Sequence, residues 1–555
     1  MRAITVVAPV FLLASLAGLP QPPRVVVRLI DVAEQAGLTL LNICGGASKD
    51  YIVEVNGNGA AFFDYDNDGD MDVLIVNGST LSNMKRGGDP MLALFRNDGK
   101  GHFADVTSSS DIRARGWGMG ACVADYDGDG FQDVYITAFG PNVLLRNRGD
   151  GTFTDVTARA GVGDSRWSTN CAFGDYDRDG DLDLYVANYA KFDETIPKRG
   201  AAPNCKYMGL DVMCGPQGLA GEPDALYRNN GDGTFTDVTR SSGIVDPGDY
   251  GFGVLFSDLD DDGWLDIFVA NDSVPNLLFR NNRDGTFSEI GLRSGLALNG
   301  DGKAQASMGA DAADYDGDGR LDLFVTNFSQ DYNTLYQNSA AGFFADVSHQ
   351  AGVVPRSLSY LGWGTGFVDV DNDGLLDLFV ANGHVYPEID RSGRGTNYLQ
   401  RKQVFINEGN GRFRDATSEI GGGLLVEKSS RGAAFGDIDN DGDTDVVVIN
   451  MNDRPTLLRN DTDAANNWIA LKLEGRSPNR DAIGARVWLQ EEGSLQVAEV
   501  RSGGSYLSHS DMRVHFGLGR RTQVPPVKVR WPDGAVERFE GLAPNAVHVI
   551  RQGGG

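Results

Sequence analysis

An all-β fold built from one repeated four-stranded unit is what this sequence predicts, on three observations. An acidic pattern recurs seven times, the segments around it read as short strands, and glycine is abundant at 73 residues. Glycine at that level suits many tight turns, and no helical periodicity competes. At 555 residues the chain is too long for one ordinary domain unless that domain is a repeat array. Repeats are therefore the first thing to place.

The pattern Asp-x-Asp-x-Asp-Gly-x-x-Asp begins at Asp64, Asp125, Asp175, Asp258, Asp314, Asp369 and Asp437, at intervals of 61, 50, 83, 56, 55 and 68 residues. Its alternate positions are the candidate metal ligands. They are Asp64, Asp66, Asp68, Asp70 and Asp72 in the first copy, and Asp125, Asp127, Asp129, Phe131 and Asp133 in the second. The third has Asp175, Asp177, Asp179, Asp181 and Asp183, and the fourth Asp258, Asp260, Asp262, Trp264 and Asp266. Asp314, Asp316, Asp318, Arg320 and Asp322 make the fifth. Asp369, Asp371, Asp373, Leu375 and Asp377 make the sixth, and Asp437, Asp439, Asp441, Asp443 and Asp445 the seventh.

This is the opening of an EF-hand-type calcium loop, in which alternate side chains converge on one ion and Gly allows the sharp turn. Phe131, Trp264 and Leu375 at the seventh position cannot ligate through their side chains, so the ligand there is the backbone carbonyl. Four carboxylates held close together repel unless a cation sits among them. Magnesium, with its strict octahedral demand, fits less well. About seven calcium ions are the expected cofactor.

The flanking segments supply the strands. An apolar strand leads into each loop, as at residues 59–63, and another leads out, as at residues 182–188. A third ends in Arg-Asn at Arg96-Asn97, Arg146-Asn147, Arg228-Asn229 and Arg280-Asn281, and a fourth follows a Gly-rich turn. Four short antiparallel strands make one propeller blade. The seventh repeat has no fourth strand of its own, and Leu29-Ile30-Asp31-Val32 supplies the missing one. Closing the ring with it removes open edges. The prediction is a seven-bladed β-propeller with calcium loops over residues 25–463, followed by a small β domain over 464–555 ending the chain.

Residues 1–17 read as a secretory signal. Arg2 precedes an apolar run from Ala3 to Leu13, and Ser15-Leu16-Ala17 offers small residues for cleavage. An N-terminal anchor is the alternative. No later segment approaches the roughly 18 apolar residues of a membrane span, so a secreted, periplasmic or cell-surface location is expected. Of five cysteines, Cys205 and Cys214 lie close enough to bridge, while Cys44, Cys122 and Cys171 are expected as buried thiols. The acidic excess of 77 − 49 = 28 charges argues against nucleic acid or an anionic membrane as partner.

The repeats resemble FG-GAP/VCBS repeats, the type found in integrin α-subunit propellers. The C-terminal stretch resembles the ASPIC/UnbV domain through residues 479–485, Ser502-Gly503-Gly504-Ser505-Tyr506-Leu507-Ser508, residues 515–519 and Arg530-Trp531-Pro532-Asp533-Gly534. Together they resemble bacterial relatives in the cartilage acidic protein family. The resemblance implies a secreted calcium-binding propeller, and without an EGF-like cysteine module it does not imply matrix functions.

A ligand site is expected away from the calcium loops, on the face that collects the variable insertions at 189–222 and 383–401. Trp117, Trp167, Tyr250 and Trp363 lie there with Arg115, Arg166 and Arg431. They offer stacking and anion pairing, or else they plug the channel. His384 is expected to cap or hydrogen-bond. Recognition or adhesion of an extracellular ligand, a glycan or a protein, is the first reading. An extracytoplasmic lyase, hydrolase or cyclase on the same scaffold is the alternative, because fold does not fix function.

Overall fold

The computed structural model describes residues 26–245, 247–340, 342–462, 466–476, 478–491 and 494–554. The expected signal at 1–17 lies outside these residues. Within residues 29–460, strands pair into seven four-stranded antiparallel sheets. Their innermost strands are Ala60–Phe63, Gly118–Ala124, Ser168–Gly174, Gly251–Ser257, Ala310–Ala313, Gly362–Val368 and Ser430–Gly436. Each touches the next, and the last touches the first, so the sheets form a closed ring. We number the blades one to seven in that order. In blade seven the outer strand is Leu29–Asp31, antiparallel to Thr456–Asn460 with Leu29 opposite Asn460.

The inner strands are small-residue strands for a steric reason. A β-carbon on Gly253 would lie 2.7 Å from the Met308 carbonyl oxygen, and one on Gly364 would lie 2.5 Å from the Ala433 nitrogen. Neighbouring backbones meet there, near the ring axis, and only glycine fits. The apolar side chains of the first three strands point between blades. One such core joins Ala60, Phe62, Val73 and Phe95 to Ala434 and Val447 across the ring closure.

The C-terminal domain is two packed sheets. Asn467–Glu474 pairs with Val514–Gly519 and, in parallel, with Val547–Arg551. The second sheet runs in the order Ser494–Glu499, Arg486–Glu491, Val527–Arg530, Val536–Phe539. Ile469, Leu471, Val487, Val529 and Trp531 fill the space between them, continuous with apolar residues of blades two and three. Among the described residues no helix is long and apolar enough to cross a membrane.

Candidate metal centres and the sealed channel

The acidic loops join the first and second strands of each blade. The fourth position is left-handed in every copy, as at Asn67 (φ 57°) and Arg178 (φ 59°), and so is the sixth-position Gly, as at Gly69 (φ 93°). This double turn brings the carboxylates together. In at least five of the loops three carboxylates offer oxygens that all lie within 4.8 Å of one another, for example Asp64, Asp66 and Asp72.

Backbone donors fix the carboxylates from outside. In blade two, Gly130 N donates to Asp125 Oδ2 at 2.8 Å and Phe131 N donates to Asp129 Oδ1 at 3.0 Å. The ninth-position carboxylate is held twice, by Asn147 N at 2.7 Å and Tyr126 N at 3.3 Å. The inward oxygens are left over. Oδ1 of Asp64, Asp66, Asp127, Asp175, Asp260 and Asp439 is buried with no donor among the described residues. Burial first, and repulsion from neighbouring carboxylates with it, pushes Asp72 up to about 8, Asp322 to about 9, and Asp125, Asp175 and Asp314 to about 7. Orphaned oxygens converging in a cluster that resists ionisation are the donor set of a hard cation. The loops can hold metal ions.

The seventh position varies because its side chain turns away. Asp70 accepts from Asn440 Nδ2 at 3.0 Å, Asp443 accepts from Asn372 Nδ2 at 2.8 Å, and Trp264 lies under the Arg178 guanidinium at 4.3 Å. Arg320 pairs with Asp318 of its own loop. Arginines reach two other loops, Arg146 to Asp127 at 2.5 Å and Arg283 to Asp262 at 2.5 Å.

The recurrent Asn after the third-strand Arg had no assigned role in the sequence, and the structure gives it one. Its backbone N–H bonds the ninth-position Asp of its own loop. Its amide reaches the second-position carbonyl of the preceding loop, as in Asn147 to Tyr65 at 2.8 Å and Asn281 to Tyr176 at 2.8 Å. Asn97 reaches Ile438 at 2.7 Å and so carries the chain of clamps across the ring closure.

The C-terminal domain sits on the acidic-loop face. Lys472 Nζ lies 3.4 Å from Asp64 Oδ2, Asp125 N donates to Asp481 at 2.7 Å, and Arg486 donates to the Asp258 carbonyl at 2.6 Å. Arg530 pairs with the Asp258 carboxylate. Arg513 reaches the Asp437 carbonyl at 3.1 Å, and His515 Nε2 lies 2.7 Å from Asn372 Oδ1. Residues 502–509 form a tongue that enters the channel. Ala310 N and Ala121 N donate to the carbonyls of Ser505 and Leu507 at 3.1 and 3.2 Å, and Phe62 N donates to His509 O at 3.0 Å. Ser505 and Leu507 take left-handed conformations to do this, with φ of 53° and 55°.

That tongue corrects the expectation of an accessible aromatic ring. Trp117, Trp167, Tyr250 and Trp363 are all buried, at 0, 2, 8 and 2 % exposure. Tyr506 of the tongue packs against Trp363 with ring centres 4.7 Å apart, and Phe192 of the 189–222 insertion lies 6.2 Å from Trp167. Arg431 is buried over the Trp363 ring at 4.1 Å, its donors spent on the carbonyls of Val55, Gly383 and Ser430. Arg166 is committed to Asp164, and Arg115, which is exposed, bonds Gly88 O at 2.8 Å. The residues pack the channel because segments distant in sequence cover them from both ends.

His384 lies in the same closed region. Its Nε2 is 3.0 Å from Ser329 Oγ, and its Nδ1 accepts from Tyr386 N at 3.1 Å. An accepting Nδ1 puts the proton on Nε2, so His384 donates to Ser329 and cannot take its proton. The pair is a hydrogen bond and no nucleophile dyad. The structure joins Cys205 to Cys214. It also joins Cys122 to Cys171, which corrects their reading as thiols. These two lie on the inner strands of adjacent blades, with Cα atoms 5.7 Å apart. Cys44 alone is free and buried.

Comparison with known proteins agrees with this architecture. The FG-GAP-like repeat family matches residues 64–136, 125–186, 210–269, 258–325, 314–380 and 393–469, and the ASPIC and UnbV family matches 475–555. The chain belongs to the family of FG-GAP-like repeat proteins and ends in an ASPIC and UnbV domain. It is homologous to cartilage acidic protein 1. It is 28% identical to the Mus musculus protein over 319 residues, 56% of this chain and 46% of that one. Identity to the Homo sapiens protein is also 28%, over 56% of this chain and 45% of that one. The chain thus spans a little under half the length of those relatives. Among solved structures, YCF48 bound to a D1 peptide resembles the chain at 8% identity and a TM-score of 0.38, over 80% of this chain and 99% of that one.

Proposed function

We propose that this chain is a secreted or cell-surface recognition protein whose ring is held together by a calcium ion in each of the seven acidic loops. The observation that carries the calcium reading is the set of orphaned inward oxygens, six of which are buried without a donor among the described residues. The ligands in each loop are the first, third and fifth side chains, the seventh carbonyl and the ninth carboxylate, all of them hard oxygens suited to calcium. Bound calcium supplies positive charge that lets the clustered carboxylates stay ionised. The chain's own residues do the rest. The ninth Asp orders the loop, and the clamp Asn ties that loop to the blade before it.

Two disulfides support an oxidising location. The family of FG-GAP-like repeats with an ASPIC and UnbV domain supports recognition or adhesion as the role, with an extracellular ligand as partner. Thermal melting with and without EDTA, alongside elemental analysis, tests the calcium reading. With free calcium about tenfold above each Kd, a site adds about 1.4 kcal/mol, and seven add on the order of 10 kcal/mol. The melting temperature is expected to fall by many degrees on chelation, with about seven ions per chain lost. An unchanged melt rules the reading out.

A further inference from the structure

The C-terminal domain does not close evenly over the ring. A cavity of about 410 Å³ remains between it and the inner strands of blades five, six and seven, within the size range of small-ligand sites. Both domains build its walls. Phe367 and Phe435 come from the ring, and Leu495 and Arg501 come from the C-terminal domain.

Arg501 is held by one edge only. Its Nη2 donates to Asp311 Oδ1 at 2.9 Å, while Nη1 is buried with no acceptor among the described residues. Asp311 is itself an exception to the repeat. Three residues before the acidic loop, the other six blades carry Ala61, Cys122, Ala172, Leu255, Gly366 and Ala434. Only blade five places a charge there. Both oxygens of Asp311 are already in use, Oδ2 accepting from Phe367 N at 2.8 Å and Oδ1 also accepting from Ala312 N at 2.9 Å. Asp311 therefore fixes the guanidinium and leaves its second edge for something else. A buried donor without an acceptor is costly, so an occupant must bring an oxygen.

We propose that this interdomain cavity is the recognition site, taking a neutral, ring-sized ligand that presents a carbonyl or hydroxyl oxygen to Nη1 of Arg501. The proposal rests on the recognition reading above and gives it a place and a ligand class. Neutrality follows from the surroundings. Asp311 already balances Arg501, and the loops of Asp314, Asp369 and Asp437 that border the cavity each set four carboxylates against one divalent ion, so an anion meets a net negative wall. The Phe367 and Phe435 rings suit the flat face of a sugar or an arene.

Isothermal titration of the full chain at saturating calcium tests this. The neutral probes are methyl β-glucoside and phenylacetamide, each run beside its anionic counterpart, methyl β-glucuronoside and phenylacetate. At least one neutral probe is expected to bind, and its anion to bind about tenfold more weakly or worse. Arg501→Lys keeps a cation for Asp311 but withdraws the second edge, and is expected to weaken the neutral probe by about tenfold. Leu495→Trp fills the cavity from the other wall and is expected to abolish binding. Native melting and calcium content show that both variants are folded. Three results overturn the proposal: no neutral probe binding the wild type, which means a cavity holding water only; anions binding as tightly as neutral probes; or either folded variant binding like the wild type. The calcium reading fails separately, in the EDTA melt.

Discussion

The two faces of the ring are closed in different ways. On the acidic-loop face, near-identical loops present the same backbone carbonyls and carboxylates, and one domain meets them with cations placed loop by loop, Lys472 at Asp64 and both Arg486 and Arg530 at Asp258. On the opposite face every closing segment is unique. The 189–222 insertion hydrogen-bonds across to Ser329 through Tyr207 at 2.8 Å, and its Arg199 pairs with Glu388 of the 383–401 insertion. Variable loops on a scaffold are where binding usually lives, yet here they interlock and pack. The repetitive face, by contrast, keeps a void because a non-repetitive domain cannot match seven equivalent blades equally well.

If the two faces are independent, substitutions on them separate stability from metal content. Asp266→Ala on the loop face is expected to have the largest effect. It deletes a ligand and strands the buried N–H groups of Leu259 and Asn281, which it accepts at 3.3 and 2.9 Å. At about 1–3 kcal/mol for each unsatisfied group, plus about 1.4 kcal/mol for the ion, the cost is expected to be about 3–7 kcal/mol, with one calcium lost. Trp167→Ala on the opposite face opens a cavity and is expected to cost about 3–5 kcal/mol with no calcium lost. Urea unfolding with elemental analysis measures both. Loss of an ion from Trp167→Ala breaks the comparison.

A smaller effect compares the two plugs by pH. Burial, with the Arg431 charge behind it, holds His384 on the insertion face down to about 3, and burial alone holds His509 on the tongue to about 3. In the unfolded chain both titrate near 6.5. As pH falls below 6.5 the unfolded state takes up protons first. The stability these residues contribute is complete above pH 6.5 and is lost steadily toward pH 3. The loss approaches about 1.4 kcal/mol per pH unit for each histidine. Replacing either by Gln is expected to flatten the difference in unfolding free energy between pH 6.5 and 5 at saturating calcium. Two variants with the wild-type slope mean that neither plug is buried as described.

What the sequence made legible was whatever repeats within a short window. Each acidic loop carries its signal in nine residues, and each blade carries its own strands, so the all-β class and the family followed directly. Contacts between distant segments stayed hidden. Arg486 and Arg530 meet Asp258 across 228 and 272 residues, and no local pattern announces them. The aromatic residues were visible but their covering was not, since access depends on the tongue and the insertions. The Cys122–Cys171 bridge is a different case, because its signal was present. Aligned on the loops, Cys122 lies three residues before Asp125 and Cys171 four before Asp175, on strands that must adjoin in the ring.

The smallest expected effect tests the finest detail of the loop face. Phe131 stands where Asp70 and Asp181 stand in neighbouring copies, and only its backbone is asked to serve the ion. Its N–H donates to Asp129 Oδ1 at 3.0 Å, which fixes the loop backbone next to that carbonyl, and its ring covers Gly149 in the adjacent turn. Phe131→Ala therefore removes a half-buried ring and leaves the carbonyl where it was. A cost of about 1 kcal/mol is expected from the lost apolar contact, with calcium stoichiometry and the affinity of that site unchanged. Phe131→Pro is the sharper companion. It deletes the N–H that donates to Asp129 and leaves the fifth-position carboxylate held by Arg146 alone among the described residues, at 2.9 Å, so weaker binding at one site is expected. Elemental analysis and calcium titration of the two variants decide the matter. An ion lost from Phe131→Ala means that the seventh ligand is not the carbonyl.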